Sequence, residues 1–179
     1  MREAIRLSGR LFLIALLAGV LLGATYFITK EPIARQQALQ SAAARGKVIE
    51  GLALPEEGVA LTGNVRGCYV TDAGGRVVEV VTKGYGGEFL VTVGVAPDGA
   101  ITGVILGENR ETVGLGKNAE KPGFTGQFIG KNGTLEVVKN SASGNQIDSV
   151  TGATITSRAV ADAVNEARAF ALQRGGAAG

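Results

Sequence analysis

From Leu11 to Thr29 the chain reads LFLIALLAGVLLGATYFIT, with no charged residue, and Arg10 and Lys30 bracket the run. At about 1.5 Å of rise per residue a helix of this length spans roughly 28 Å, close to the hydrocarbon thickness of a bilayer. Tyr26 and Phe27 fall near one end, where aromatic rings favour the interface. The pattern predicts one uncleaved membrane helix. A cleavable signal peptide is the alternative, but Leu21 or Leu22 stands where cleavage before Gly23-Ala24-Thr25 would want a small residue. Arg2, Arg6 and Arg10 precede the run and only Lys30 and Arg35 follow closely, so the positive-inside rule leaves the N-terminus in the cytoplasm and exports the rest.

After the apolar run the pattern changes three times. Glu31 to Glu50 predicts a helix with Pro32 in its first turn, continuing out of the membrane as a stalk. Leu52 to Gly63, with Pro55 and two glycines, reads as a loop. Short β-rich runs follow: Cys68–Thr71, Arg76–Thr82 (RVVEVVT), Phe89–Val95 (FLVTVGV) and Ile101–Leu106 (ITGVIL). Asp72-Ala73-Gly74-Gly75, Lys83–Gly87 and Ala96-Pro97-Asp98-Gly99 are the turns between them, which predicts an antiparallel meander. Gly107 to Gly133 has little periodicity, and Leu135–Val138 is a short late strand. From Thr156 to Gln173 the residues Ala159, Val160, Ala163, Val164, Ala167, Phe170 and Ala171 form one apolar stripe, with Arg158, Asp162, Glu166 and Arg174 opposite; this predicts a helix, then a frayed tail from Gly175. Strands first and helix last predict an α+β fold with a mainly antiparallel sheet. The expected division is a cytoplasmic stub and membrane helix over 1–30, a helical stalk over 31–50 and an extracytoplasmic domain over 51–179.

Composition narrows the chemistry. The 179 residues include no histidine, which removes catalytic triads, Cys-His dyads and histidine-held metals, and the single Cys68 provides neither an internal disulfide nor a thiolate metal site. Cys68 reads as a buried strand residue rather than a redox thiol. Residues 1–45 carry six basic and two acidic groups, so +4, and residues 46–179 carry twelve and fourteen, so −2. The basic balance belongs to the N-terminal segment, and the body has no basic stripe that would point to nucleic acid.

The densest candidate chemistry is Asp148-Ser149-Val150-Thr151-Gly152-Ala153-Thr154-Ile155-Thr156-Ser157, directly before the last helix. Gly152 permits a tight turn. Thr151, Thr154 or Thr156 can serve as an N-cap for the helix, or the helix start can bind an anion such as phosphate through its free N–H groups.

Asp148-x-x-Thr151-Gly152-Ala153-Thr154 resembles the flavinylation motif of covalent FMN-binding domains. The resemblance implies that a flavin transferase links the FMN phosphate to the hydroxyl of Thr154, with Asp148, Thr151, Gly152 and Ala153 as recognition positions and Thr156 ranked below Thr154. Glu111-Thr112-Val113-Gly114-Leu115-Gly116 resembles a segment of the G subunits of Rnf-type ion-translocating electron-transport complexes, with Val113 where proline is usual. Gly84–Gly87, Phe128–Lys131 and the layout of anchor plus exported domain fit the same family, and the resemblance covers nearly the whole chain.

An isoalloxazine ring needs an apolar wall and a few polar contacts. Gly114-Leu115-Gly116 lets backbone approach closely and offers one aliphatic side chain, while Thr112 can bond a ring edge or phosphate; a plain surface turn is the alternative. Tyr85 either stacks on the ring or covers the core edge, and Gly84–Gly87 is a bulge or hairpin kink or a flavin contact. Lys117, Lys121 and Lys131 face either the phosphate or solvent, and solvent is the preferred reading. The resemblance implies a covalently held FMN and an electron-relay subunit of a membrane complex that couples ferredoxin and NAD to Na⁺ or H⁺ translocation, without catalysis of its own. Its implied partners are the other membrane and peripheral subunits, a flavin transferase and the lipid bilayer. The competing readings are the C subunit of Na⁺-translocating NADH:quinone reductase, a free-standing flavinylated extracellular reductase, and a non-redox anchored binding module.

Overall fold

The structure is a computed structural model. It describes residues 2–51, 53–56 and 58–175. They fall into two compact units, Met1–Gln40 and Ser41–Gly179.

Helix α1 runs without a break from Arg2 to Val48. Its stretch Gly9–Ile33 is long and apolar enough to cross a membrane, and none of it is buried within the protein. Polar groups in this stretch are bonded locally: Thr25 and Thr29 donate their hydroxyls to the carbonyls of Leu21 and Thr25 at 2.8 and 2.7 Å. Pro32, expected in the first turn of a new helix, lies inside α1 instead. It removes one backbone hydrogen bond, and the alanine-, leucine- and glutamine-rich stretch after it carries the helix on.

The second unit is built on a five-stranded antiparallel meander. Its strands are β1 (Ala53–Pro55), β2 (Val65–Thr71), β3 (Arg76–Lys83), β4 (Glu88–Val95) and β5 (Ile101–Leu106). β1 falls in the segment read as a loop, of which Leu52 and Glu57 lie outside the described residues. Pro55 hides it from sequence reading, yet a proline is tolerated on an edge strand, and Leu54 pairs with Val70 at that edge. Helix α3 (Thr154–Gly175) starts two residues earlier and ends two later than expected; the chain beyond Gly175 lies outside the described residues.

The two sheet faces follow from the two-residue period of the strands. Val78 and Val80 of β3 pair with Val93 and Val91 of β4. They pack with Val160, Ala163, Val164, Ala167 and Phe170 of α3 in one core. Each buried valine contributes about 1.5–3 kcal/mol. The opposite face carries Val77 and Glu79, whose partners on β4 are Gly94 and Thr92, and it receives the last turn of α1. Gly94 pairs with Gly103 of β5, and a side chain at either position would collide with the backbone of Val48. The paired glycines therefore let backbone pack on backbone, and Thr102 Oγ1 donates to the Val48 carbonyl at 2.6 Å. Arg45 lies 4.1 Å over the Tyr69 ring and bonds Glu79 Oε1 at 2.8 Å.

The segment from Gly107 to Gly133, expected to be irregular, contains a 3₁₀ turn at Gly116–Glu120, helix α2 (Pro122–Thr125) and a 3₁₀ turn at Gly126–Phe128. Pro122 opens α2. Phe124 and Phe128 are buried edge to face with centroids 5.3 Å apart. Turns of three to five residues are too short to leave a periodic signature. The late strand β6 (Glu136–Val138) pairs in parallel with an unexpected β7 (Gln146–Asp148).

Candidate functional site

Three segments that are distant in sequence meet at the start of α3. Tyr85 comes from the β3–β4 hairpin, Glu111, Thr112, Leu115 and Gly116 from the loop after β5, and Gly152 to Thr156 from the turn into α3. Between them lies a cleft of about 530 Å³.

Glu111 ties the three together. It is buried; its Oε1 accepts the Gly86 N–H at 2.9 Å and its Oε2 accepts the Thr156 hydroxyl at 2.7 Å. Its own N–H donates to Asn109 Oδ1 at 3.2 Å. Added side chains at Gly84 or Gly116 would strike the Glu111 carboxyl group, and one at Gly86 would strike the backbone of Arg110 and Glu111. The glycines of the hairpin and of the loop thus make room for one buried acid. Gly152 has φ +75°, which a glycine adopts without strain, and a Cβ there would stand 2.9 Å from a Leu115 methyl. That close approach brings the Thr-Gly-Ala-Thr turn against the Gly-Leu-Gly loop.

The hydroxyls at the helix start separate into distinct roles. Thr156 is occupied by Glu111. Ser157 Oγ accepts the Val150 N–H at 3.0 Å and donates to the Ala153 carbonyl at 2.9 Å. Among the described residues no threonine of the motif accepts a backbone N–H, so the capping alternative is not what the structure shows; Ser157 fastens the turn instead. Thr154, the first residue of α3, is half-buried on the cleft wall, and among the described residues its hydroxyl makes no hydrogen bond. It sits where a long helix presents free N–H groups and partial positive charge.

Of the eleven site candidates, Tyr85, Glu111, Thr112, Leu115, Gly116, Gly152, Ala153 and Thr154 line the cleft. Asp148, Thr151 and Gly114 do not. Asp148 stands behind the site: its carboxylate accepts the Ala142 N–H at 2.9 Å, and its backbone N–H donates to Gln127 Oε1 at 2.8 Å. Gly114, at φ +83°, shapes the loop, and its carbonyl accepts Asn118 Nδ2 at 2.7 Å. Thr151 is exposed beside the turn. Sequence reading missed Ile155, an exposed apolar residue of the cleft, and the tie from Thr156 to Glu111. The signal for Ile155 is an isoleucine off the apolar stripe of α3, next to the motif.

The rim is apolar and open to solvent: Tyr85 is 75% and Val113 86% exposed, with Leu115 and Ile155 also exposed. Lys121 is exposed and Lys117 and Lys131 are partly open to solvent; Lys117 pairs with Glu120 at 2.7 Å, and Lys131 bonds the Gly144 carbonyl. Cys68 lies apart from the cleft on β2. Burial, then a hydrogen bond to Glu56 at 3.1 Å and its charge, push the thiol up to about 12 against a smaller pull from Arg76 and Arg174. It stays a protonated, unreactive side chain at neutral pH.

Comparison with known proteins agrees with this geometry. Residues 84–169 match the FMN-binding domain family, and residues 1–48 match the RnfG N-terminal region. The G subunit of the proton-translocating ferredoxin:NAD(+) oxidoreductase complex of Clostridium ljungdahlii is 34% identical over 156 residues, covering 84% of this chain and 82% of that protein. The G subunit of the Na(+)-translocating complex of Acetobacterium woodii is 34% identical over 178 residues, covering 87% and 85%. Among solved structures, the NqrC-type component of the Na(+)-translocating NADH-quinone reductase of Parabacteroides distasonis shares the fold at 22% identity and a TM-score of 0.52, over 72% of this chain and 77% of that one. NqrC of Shewanella oneidensis gives 26% and 0.55, over 63% and 61%. The chain therefore belongs to the RnfG family, the G subunits of ion-translocating oxidoreductase complexes, and carries that family's FMN-binding domain.

Proposed function

We propose that this chain is the electron-relay subunit of an Rnf-type ion-translocating ferredoxin:NAD oxidoreductase and that it carries FMN as a phosphodiester on Thr154. The observation that carries the attachment is the Thr154 hydroxyl. It lines the cleft, is free of internal hydrogen bonds among the described residues, and opens a 22-residue helix whose first N–H groups suit a phosphate.

The cleft fits the cofactor. Its volume of about 530 Å³ lies within the roughly 300–1,000 Å³ typical of small-molecule sites. Tyr85, Leu115 and Ile155 offer apolar surface for a ring, and the Thr112 hydroxyl and the α3 N-terminus offer polar contacts. When bound, FMN would supply the electron chemistry, and the chain would supply position and surroundings. Thr154 and the helix start hold the phosphate end, Tyr85 and Leu115 flank the ring, and Glu111 keeps the three walls in register. Asp148, Thr151 and Gly114 shape the turn and loop presented to a flavin transferase. Attachment joins Thr154 Oγ1 to the phosphorus of an activated flavin donor while the phosphoanhydride P–O bond of that donor breaks; the hydroxyl proton is removed and the nucleoside monophosphate leaves, so the chain gains one FMN less one water.

Gly9–Ile33 anchors the chain in the membrane, with the N-terminus in the cytoplasm and the folded domain outside; the working parts are anchor 1–30, stalk 31–50 and FMN domain 51–179. The open apolar rim allows transfer at close range to a cofactor of another subunit. The match over residues 1–48 and the G-subunit relatives favour this reading over a C subunit of the NADH:quinone reductase. Protein from its native membrane should be fluorescent on a denaturing gel, with an intact mass raised by one FMN less one water. Thr154→Ala, co-expressed with a flavin transferase, should lose both signals; a variant that stays fluorescent overturns the acceptor assignment. Recovery in mild detergent without multi-span partners would favour a free-standing reductase, and an unmodified native chain a non-redox module.

A further inference from the structure

Glu111 is 5% exposed and closes one wall of the cleft. Both of its oxygens act as acceptors, one from the Gly86 N–H and one from the Thr156 hydroxyl. With neither oxygen donating, the hydrogen bonding is complete without a proton on the group. Among the described residues it has no ion-pair partner.

A strut alone would not require this chemistry. The amide of a glutamine has the same shape; its oxygen would accept the Gly86 N–H and its nitrogen would donate to the Thr156 oxygen, with no charge to bury. A carboxylate held by two neutral donors costs more than such an amide. The difference between the two groups is a negative charge, and it stands in the cleft wall, beside the space a bound ring would take.

Resting on the reading that FMN occupies the cleft, we propose that Glu111 is a fixed buried anion that holds the reduction potential of the bound flavin low. The charge opposes the negative charge that arrives on the ring with each electron, so the reduced carrier is a stronger donor to the next centre. Its contacts with Gly86 and Thr156 keep the charge at a set position.

The test is spectroelectrochemical titration of the full chain in detergent, after flavinylation, for wild type, Glu111→Gln and Glu111→Asp. The expected result is a positive shift in Glu111→Gln of about tenfold in the reduced-to-oxidised ratio, or about 30 mV for a two-electron couple. Glu111→Asp keeps the charge and should stay near wild type. A strut predicts the reverse order, because the shorter Asp breaks more contacts than the isosteric Gln. Equal potentials for Glu111→Gln and wild type, or an Asp variant that moves as far as the Gln variant, overturns the proposal. So does a Glu111→Gln chain that fails to fold or to load, since the lost charge then acts on assembly. A wild-type chain that carries no flavin would bring down the cofactor reading first, and is seen before any variant is compared.

Discussion

Glu79 and Glu111 are almost equally hidden from water, at 6% and 5% exposure, yet the chain treats them in opposite ways. Glu79 lies on the sheet face under the end of α1, where the Arg45 guanidinium meets it at 2.8 Å and also covers Tyr69. Glu111 lies at the cleft and receives one backbone N–H and one hydroxyl. The first arrangement cancels charge and serves packing: it clamps the last turn of α1 onto β3. The second leaves charge standing where a ligand would feel it. Burial alone therefore does not tell how an acid is accommodated; the partner does.

The comparison can be broken at its structural end first. Arg45→Ala leaves Glu79 buried without a cation, and the full chain in detergent should lose about 3–5 kcal/mol of stability in chemical denaturation, with the flavin content of the folded fraction unchanged. The double variant Arg45→Leu, Glu79→Leu should recover most of that loss. A loss below about 1 kcal/mol in Arg45→Ala would mean the pair is effectively a surface pair and the contrast fails.

At the cleft end, Thr156→Val removes one of the two donors to Glu111 and should cost about 1.5–3 kcal/mol by the same measurement. An effect this large from one hydroxyl is expected only if the carboxylate is closed in. Cys68 gives an effect seen only at alkaline pH. Its folded value, raised from 9.0 to about 12, means the native state holds a proton that the unfolded chain releases. The contribution is whole below pH 9 and is lost as pH climbs towards 12, by up to about 1.4 kcal/mol per pH unit. Cys68→Val should flatten the alkaline limb of stability against pH relative to wild type. The smallest effect belongs to Lys117, whose pair with Glu120 is partly open to solvent. Lys117→Ala should change stability by less than about 1 kcal/mol, and the change should shrink further in high salt.

Much of the scaffold was legible because it repeats. The valine runs of β3 and β4 and the alanine-valine stripe of α3 announce their faces over seven or more residues, and the apolar run after Arg10 announces a helix by length. β1 and the turns between Gly116 and Phe128 were not legible, since three- to five-residue elements owe their shape to Pro55 at an edge and to Phe124 and Phe128 entering the core. At the site, the motif residues were recognisable in sequence, but their division of labour was not. Thr154 and Thr156 stand two positions apart on one helix; one faces the cleft free and the other is taken by an acid 45 positions earlier.

The sequence by itself determined the long elements, the paired strands β3 and β4 and the helix α3, and that one segment is apolar enough for a membrane, because propensity, periodicity and length are local properties. Only the tertiary structure decided that Glu79 meets Arg45 while Glu111 meets Gly86 and Thr156. The charge balance of a buried acid depends on groups 25 to 45 residues away, and nothing in the local pattern around either glutamate specifies them.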